Sequence, residues 1–370
     1  MAHRIAYKPT GTILSSQIGD IPIYVDGTFV DVRLTGMGNS PILLERYYAY
    51  GGNVTLYDLG TLIENEMRTS GIAYGEFTLA LYRGNTVEDS CTMHVLYCDR
   101  YTVCTDTDTF LAENFLTTLQ HRRVTPGDTS SLFFFAKSGE SITPNVAVRF
   151  RLNGNAVTAP FYTSIVADNS NADNGVRQIN ISQQQLIRLY KAAFTPTADT
   201  LIEVVSMTVS VGQRSATLYV DRSLDMMRDA FMFRNCFNVW DAAILPRITK
   251  AKTDVERSTA VVNTRSQFYN QRTTQTFEVE TGPITSDEAE WLDQLFTSYS
   301  VMRVEANACS EDDPFLLVPI LISDSTCEVS DTDEKPNTVK FTWRYEDNRP
   351  IVRLSASPGI FTQEYQLPFS

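Results

Sequence analysis

Four carboxylates lie close together in the segment TGPITSDEAEWLDQLFTSYSVM, which spans residues 281–302. Paired carboxylates perform general acid–base chemistry when two of them converge in one pocket. A helix gives a simpler interpretation, because its dipole favours acids in the first turn. Thr285 followed by Glu288 three residues later is also the pattern of an N-terminal capping box. We therefore interpret the acids as capping and solvating groups; they are Asp287, Glu288, Glu290 and Asp293.

The same segment predicts one helix over residues 286–298. Its apolar residues recur at helical spacing, which predicts a face that docks on a sheet. That face consists of Ala289, Leu292, Leu295, Phe296 and Tyr299, with Trp291 at its edge. We interpret the helix as a packing element that shapes a subunit interface, and its candidate structural or interface residues are Leu292, Leu295, Phe296 and Trp291.

A second stretch, DNSNADNG at residues 168–175, carries oxygen ligands at alternate positions, as calcium loops do. The acidic ligand expected at the twelfth position is absent, because Asn180 stands there when the loop is counted from Asn169. A long Asn/Asp turn is favoured, and calcium remains an open alternative. The chain has no GxxxxGK[ST], GxGxxG, GxSxG or HExxH motif. We predict no catalytic residues, no cofactor and no metal, and therefore no enzyme.

Six cysteines and three histidines add no metal site to this picture. None of the cysteines forms a CxxC pair and the histidines are scattered, whereas structural zinc needs four ligands at close spacing. We expect reduced, buried or half-buried thiols. The cysteines are Cys91, Cys98, Cys104, Cys236, Cys309 and Cys327.

The totals exclude several classes of partner. The chain has 370 residues, of which 43% are hydrophobic, and a net charge of −13. That charge argues against nucleic acid and anionic membrane surfaces. No apolar run approaches the ~20 residues that span a bilayer. The first residues lack the apolar core of a signal peptide, so we expect synthesis in the cytoplasm without one.

The first two-thirds of the chain contain an internal repeat. FTLALYRGNTVEDSCTMHVLYCDR and IEVVSMTVSVGQRSATLYVDR are both pairs of alternating strands that end on Leu-Tyr-x-Asp-Arg. Upstream, VTLYDLGTLIENEM and QINISQQQLIRLY each run from a short strand into a helix. Further upstream we match IYVDGTFV with FRLNGNAV, taking Asp26-Gly27 and Asn153-Gly154 as hairpin turns. The repeats span roughly residues 10–103 and 130–224, joined by a packed or strand-swapped linker.

Short strands with period two and frequent turns predict antiparallel β-sandwiches. We therefore expect a mainly β fold of tandem antiparallel β-sandwich repeats, followed by a β-sandwich domain with one packed helix. The predicted domains are residues 1–125 (first repeat and linker), 126–235 (second repeat) and 236–370 (C-terminal domain). Apolar residues are dense on every face of segment 225–246, which predicts a buried domain junction.

The last domain carries charges of opposite sign on separate segments. Residues 247–272 are basic, and turns at 311–313 and 331–334 are acidic. These charges could pair between neighbouring copies of the chain, although two unrelated solvated loops explain them equally well. The candidate interface residues are Arg247, Lys250, Lys252, Asp312 and Asp313.

The segment YNQRTTQTFEVETGPITSDEAEWLDQLFTSYSV resembles tail-associated structural proteins of Bacteroidetes phages and prophages, including the distal-tail and tail-tube type. In those proteins a strand ends in Thr-Gly-x-Leu/Ile, a capped helix follows, and S-x-x-V re-enters the sheet. The N-terminal repeats, with YYAYGGNVTLYDLGTLIENEM, resemble sandwich modules of the same group. The resemblance implies a virion tail location, self-assembly into a ring or tube, and contacts with neighbouring tail proteins. It transfers no functional residue.

We therefore expect a virion structural protein that forms oligomers. The alternative is a carbohydrate-binding or adhesin-type module, with a host-surface glycan as its partner. Exposed aromatics in ERYYAY (45–50) or APFYTS (159–164) would supply the binding surface. Against this, tyrosine and phenylalanine in half-buried strands are usually core residues.

Overall fold

The computed structural model describes residues 2–100, 106–127, 129–140, 142–166, 174–222, 228–246, 249–306, 315–328 and 337–347. The fold is mainly β, as predicted. The helices are α1 (Leu59–Ser70), α2 (Thr107–Glu113), α3 (Gln183–Phe194) and α4 (Ser286–Thr297), with short 3-10 helices at Ser15–Gln17 and Met37–Asn39. The strands are β1 (Arg4–Ile5), β2 (Thr12–Leu14), β3 (Ile21–Tyr24), β4 (Phe29–Thr35), β5 (Pro41–Tyr48), β6 (Asn53–Leu56), β7 (Tyr74–Arg83), β8 (Thr86–Leu96), β9 (His121–Val124), β10 (Thr129–Ala136), β11 (Asn145–Leu152), β12 (Asn155–Ala156), β13 (Phe161–Ser164), β14 (Gly175–Ser182), β15 (Ile202–Val211), β16 (Arg214–Val220), β17 (Arg228–Arg234), β18 (Trp240–Pro246), β19 (Thr249–Val262), β20 (Arg265–Glu280), β21 (Val301–Ala306), β22 (Phe315–Glu328) and β23 (Thr338–Tyr345).

The chain divides into two compact units. The first contains residues 1–222 and 234–241, and the second contains residues 223–233 and 242–370. Both sequence repeats therefore fall within the first unit. The predicted three-part division at 125 and 235 stays a prediction.

Each repeat of the first unit consists of one large sheet, one small sheet and one helix. The first repeat has the large sheet β2-β8-β7-β4-β5 and the small sheet β1-β3-β6. In the second repeat, the large sheet runs β9-β16-β15-β11-β12, with β13 also paired to β11, and the small sheet is β10-β14. In both large sheets the first strand runs parallel to its neighbour and the others are antiparallel. This shared strand order confirms the internal repeat.

The turn at Asp26-Gly27 corrects one of the three sequence matches. The prediction made it a hairpin, but β3 pairs with β1 and β6 whereas β4 pairs with β5 and β7. The turn therefore carries the chain from the small sheet to the large one. Asn153-Gly154 does close a two-residue hairpin, because Leu152 pairs with Asn155 and both turn residues have positive φ. Similar dipeptides thus occupy different places in the two repeats.

Three clusters of buried apolar residues are found in the described part of the first unit. One collects residues from both sheets and α1 of the first repeat, and a second does the same for the second repeat and α3. The third takes residues from both repeats, from α2 and from segment 236–239. Segment 234–241 is thus buried in the first unit, in agreement with the predicted burial of 225–246. The third cluster consists of Leu14, Leu96, Cys98, Leu111, Leu116, Phe135, Cys236, Phe237 and Val239.

The linker between the repeats contains one helix, α2, and one strand, β9. After α2, the chain forms β9, which pairs in parallel with β16 of the second repeat. The predicted domain of residues 1–125, which combines the first repeat and the linker, contains this strand. The first repeat begins with an equivalent parallel strand, β2, so β9 is the corresponding opening strand of the second.

The described part of the second unit is a seven-stranded sheet in the order β18-β17-β21-β22-β23-β20-β19, with α4 packed on it. Its core is rich in aromatic side chains. Trp343 is fully buried and lies in T-shaped contact with Phe231, at 5.9 Å between ring centroids, and with Tyr345, at 5.1 Å. Aromatic pairs of this geometry add about 0.5–1.5 kcal/mol each to the stability that comes from their burial.

Candidate assembly surface on the second unit

A long two-stranded ribbon formed by β19 and β20, called the ribbon below, is a prominent feature of the second unit. Its strands pair from Thr249 and Val279 at the base to Val262 and Arg265 at the tip. The turn residues Asn263 and Thr264 have φ values of 50° and 65°. Positive φ at both central residues is typical of the type I′ turn, whose backbone twist matches the right-handed twist of the two strands that it joins.

The ribbon joins the rest of the sheet at its base. There β20 pairs with β23 from Phe277 to Glu280. Phe277 stacks on Trp343 with ring centroids 4.2 Å apart, and Val279 is fully buried. Among the described strands, residues 265–276 of β20 pair with β19 alone. At ~3.4 Å per residue these twelve residues extend about 40 Å beyond the base.

Both faces of the ribbon are open to solvent. The side chains of residues 250–257 and 265–272 are all exposed. A two-stranded hairpin alone is at best marginally stable in water, and a long edge strand offers unpaired backbone groups to another chain. Large apolar or aromatic side chains exposed on this ribbon further favour association with another chain. They are Val255, Val261, Phe268 and Tyr269, which are 44–73% exposed.

Two of the basic residues predicted as interface candidates, Lys250 and Lys252, belong to this ribbon. Lys250 and Lys252 are exposed on β19, and Lys252 Nζ lies 3.0 Å from the Asp254 carboxylate. The guanidinium of Arg257 lies 5.1 Å above the centre of the Phe268 ring. The remaining candidates, Arg247, Asp312 and Asp313, lie outside the described residues. The pairing of opposite charges between copies therefore stays a prediction.

Sequence reasoning missed most of the ribbon. In the sequence, alternation is visible only over residues 274–280, whereas β20 begins at Arg265. Alternation marks a strand with one buried face, and a ribbon exposed on both faces has no such pattern. The available signal was different: residues 249–262 and 265–280 are rich in threonine and valine, contain no proline or glycine, and flank an Asn-Thr turn.

Helix α4 begins as predicted and ends one residue earlier, at Thr297. The Glu288 backbone N donates to Thr285 Oγ1 at 3.2 Å, and the Thr285 backbone N donates to Glu288 Oε2 at 3.0 Å. The capping box is therefore confirmed. Asp287 and Glu290 are exposed, so these acids have a capping and solvating environment.

The apolar face of α4 packs on its own sheet. Trp291 meets Phe233 in a T-shaped contact at 5.5 Å, and Phe296 lies 5.3 Å from Phe341. Tyr299 was predicted on this face, but it follows the end of the helix and is 45% exposed. The candidates Trp291, Leu292 and Leu295 are buried. What the structure shows for these side chains is packing inside the second unit.

A buried polar cluster surrounds Arg303 of the second unit. Its Nη2 donates to Asp229 at 2.7 Å and its Nη1 donates to the Tyr345 hydroxyl at 2.9 Å. Nη1 also lies 3.1 Å from Glu305, and the guanidinium lies 4.8 Å from the centre of the Trp343 ring. Two carboxylates that share one guanidinium in a packed interior form a structural ion-pair network.

The two aromatic segments proposed for glycan contact divide between core and surface. Tyr47 and Phe161 pack against the cores of their repeats. By contrast, Tyr48, Tyr50 and Tyr162 are 74%, 95% and 72% exposed. These three side chains are therefore accessible to a ligand.

An open groove of about 610 Å³ lies on the large sheet of the first repeat. Arg46 Nε and Nη2 donate to the Asp31 carboxylate at 2.6 and 2.9 Å, and the guanidinium lies 4.2 Å from the centre of the Phe29 ring. The hydrogen bonds from Arg46 hold the pKa of Asp31 below its ordinary value. The groove is lined by Asp31, Arg33, Leu44, Glu45, Arg46, Tyr82, Gly84 and Asn85.

No group of three or more metal-ligating side chains occurs among the described residues. The calcium loop considered at residues 168–175 lies largely outside them. Among the residues that the structure describes, no helix combines the length and apolarity needed to cross a membrane. No protein-family model matches the chain, and no curated protein is significantly similar to it.

Proposed function

We propose that this chain is a structural protein of the tail of a tailed phage or prophage. It acts by self-assembly and by contact with neighbouring tail proteins, without catalysis or cofactor. The observation that supports assembly is the ribbon, whose exposed faces and edge are unsuited to a lone chain in water. The tail context and the virion location come from the sequence resemblance of residues 269–301.

Charge favours a second copy as the partner of the ribbon. The whole chain carries −13, whereas residues 249–280 contain five basic and four acidic side chains. The ribbon is thus a slightly basic element on an acidic protein, so another copy presents it with charge of the opposite sign.

The first test is to shorten the ribbon and measure self-association. Thr253 pairs directly with Gln275, so residues 254–274 can be replaced by Asn-Gly, which forms a two-residue hairpin turn. We expect the full chain to form a closed oligomer in sedimentation velocity across a concentration series. The shortened protein should remain monomeric with the near-ultraviolet circular dichroism of an intact core. Equal association by the two proteins would refute the role of the ribbon.

Point variants give the same test without a deletion. Phe268→Ser with Tyr269→Ser removes two aromatic side chains that are 65% and 70% exposed. Tyr162→Ser is the matched control, because Tyr162 is 72% exposed in the other unit. We expect the double variant to weaken association at least tenfold and the control to leave it unchanged. If the control weakens association as much as the double variant, the effect is not specific to the ribbon.

The alternative function is carbohydrate recognition, favoured by the exposed tyrosines Tyr48, Tyr50 and Tyr162. Aromatic faces pack on the apolar faces of sugar rings, and the groove beside β5 offers charged and amide groups for sugar hydroxyls. A glycan array probed with the full chain and with Tyr50→Ser tests this function. A glycan that binds the full chain and loses affinity for the variant would support it. No binding by the full chain would remove the alternative.

A further inference from the structure

Cys98 and Cys236 are two buried thiols that the fold brings together from distant parts of the chain. Cys98 follows β8 at the end of the first repeat, and Cys236 lies in the segment that returns to the first unit after the second repeat. Both are buried, reduced thiols in the cluster shared by the two repeats. Their thiols lie close enough for each to shift the pKa of the other.

The backbones on both sides are held in place. The Asp99 backbone N donates to the Cys236 carbonyl at 3.2 Å. This bond joins the residue after Cys98 to Cys236 itself, so the two cysteine backbones lie side by side, and a disulfide needs their Cα atoms about 4.4–6.8 Å apart. Ser15 fixes Cys98 from the other side, since its Oγ accepts from the Cys98 N at 2.8 Å and donates to the Cys98 carbonyl at 3.1 Å.

We propose that Cys98 and Cys236 form a redox-sensitive cross-link that ties the end of the first repeat to the return segment 234–241. A small-molecule disulfide such as oxidised glutathione is the oxidant. The Cys98 thiolate attacks one sulfur of the oxidant and releases one thiol. The Cys236 thiolate then attacks the mixed disulfide at Cys98 and releases the second thiol. Two protein thiols are oxidised, one small disulfide is reduced to two thiols, and two electrons are transferred.

The local chemistry suits this order of attack. The hydrogen bond from the Cys236 thiol lowers the pKa of Cys98, whereas the same contact raises the pKa of Cys236. The thiolate is the attacking form in disulfide exchange, so Cys98 reacts first. Because both thiols are buried, the reaction proceeds through local opening of the segment and is slow.

Peptide mapping of the full chain, incubated with oxidised glutathione and then alkylated, tests the proposal directly. The expected result is a cross-linked peptide pair containing Cys98 and Cys236, a protein lighter by two hydrogen atoms, and a first unit that unfolds at higher urea. Reductant should reverse all three. A predominant pairing of any other cysteines, or a Cys98–Cys236 pair that leaves the urea midpoint unchanged, would overturn the proposal.

Cysteine variants separate this site from general thiol oxidation. Cys98→Ser and Cys98→Ala should abolish both the cross-link and the stability shift. Cys91→Ser is the matched control, because Cys91 is also a buried thiol of the first repeat but packs in a different cluster. The control should cross-link as the full chain does. If Cys91→Ser blocks the cross-link, Cys91 and not Cys98 is the reacting thiol.

Discussion

Replacement of Asp241 by alanine is the perturbation for which the structure gives the clearest expectation. Asp241 is buried in the first unit and forms an ion pair with Arg122, which is also buried. Thr117 Oγ1 donates to the same carboxylate at 2.9 Å, and Asn235 Nδ2 lies 3.4 Å from it. The Arg122 Nη2 in turn donates to the Ser131 carbonyl at 2.6 Å. The network joins the return segment 234–241 to the second repeat.

The expected loss of stability depends on the groups that stay buried after Asp241 is replaced. Asp241→Ala leaves the Arg122 guanidinium buried without its carboxylate, and removal of one partner of a buried pair costs about 3–5 kcal/mol. A unit whose total stability is about 5–15 kcal/mol then approaches unfolding. Replacement of both residues, Arg122→Met with Asp241→Leu, leaves no orphaned charge. Because Arg122 Nε has no hydrogen-bond partner in the described part of the chain, the double change should cost far less than the single one.

Amide hydrogen exchange followed by mass spectrometry measures these changes locally. Peptides covering residues 117–125 and 234–241 should exchange roughly 100- to 4,000-fold faster in Asp241→Ala, since each 1.4 kcal/mol is a factor of about ten. Peptides from α4 serve as the internal control and should be unaffected. An acceleration below about tenfold would show that the pair is not buried as described. A double variant as unstable as Asp241→Ala would refute the reasoning about the orphaned charge.

Two further predictions concern α4 and the groove of the first repeat. Leu295→Asp places an unpaired charge at a fully buried site and should unfold the second unit. Near-ultraviolet circular dichroism would show this unfolding. The control variant Asp287→Asn with Glu290→Gln changes two exposed acids and should alter the thermal midpoint little. The pKa of Asp31 lies below its ordinary value of 3.8, because Arg46 hydrogen-bonds to it. The stability from this pair is therefore complete above that ordinary value and is lost as pH falls through the lower folded pKa, so Asp31→Asn should reduce the loss of urea resistance that occurs as the pH falls below about 4.

The repeat and the helix were predictable because their signals are local and periodic. Alternating strands that end on Leu-Tyr-x-Asp-Arg become the β7–β8 and β15–β16 pairs. The capping box of α4 needs only Thr285 and Glu288 at the correct spacing. In each case one buried face imposes a pattern that can be read without knowledge of the partner.

The errors arose where partner strands decide the structure. Asp26-Gly27 has the sequence of a hairpin turn, yet the strands on either side pair in different sheets. A dipeptide constrains the local backbone and does not choose the sheet that each strand joins. The ribbon was missed for the opposite reason, since two exposed faces impose no alternation on residues 250–272.

The return segment explains why the end of the second repeat does not coincide with the end of the first unit. Asn238 is fully buried, and its Nδ2 donates to the carbonyls of Met67 and Ile72 in the first repeat. Asn235 Nδ2 donates to the Leu116 carbonyl in the linker between the repeats. Without the segment the Ile72 and Leu116 carbonyls would each lose this donor, at a cost of about 1–3 kcal/mol apiece, whereas the Met67 carbonyl would keep its bond from the Ile72 N. Residues beyond the second repeat therefore stabilise the contact between the repeats, and a repeat boundary drawn from sequence similarity alone separates groups that fold together.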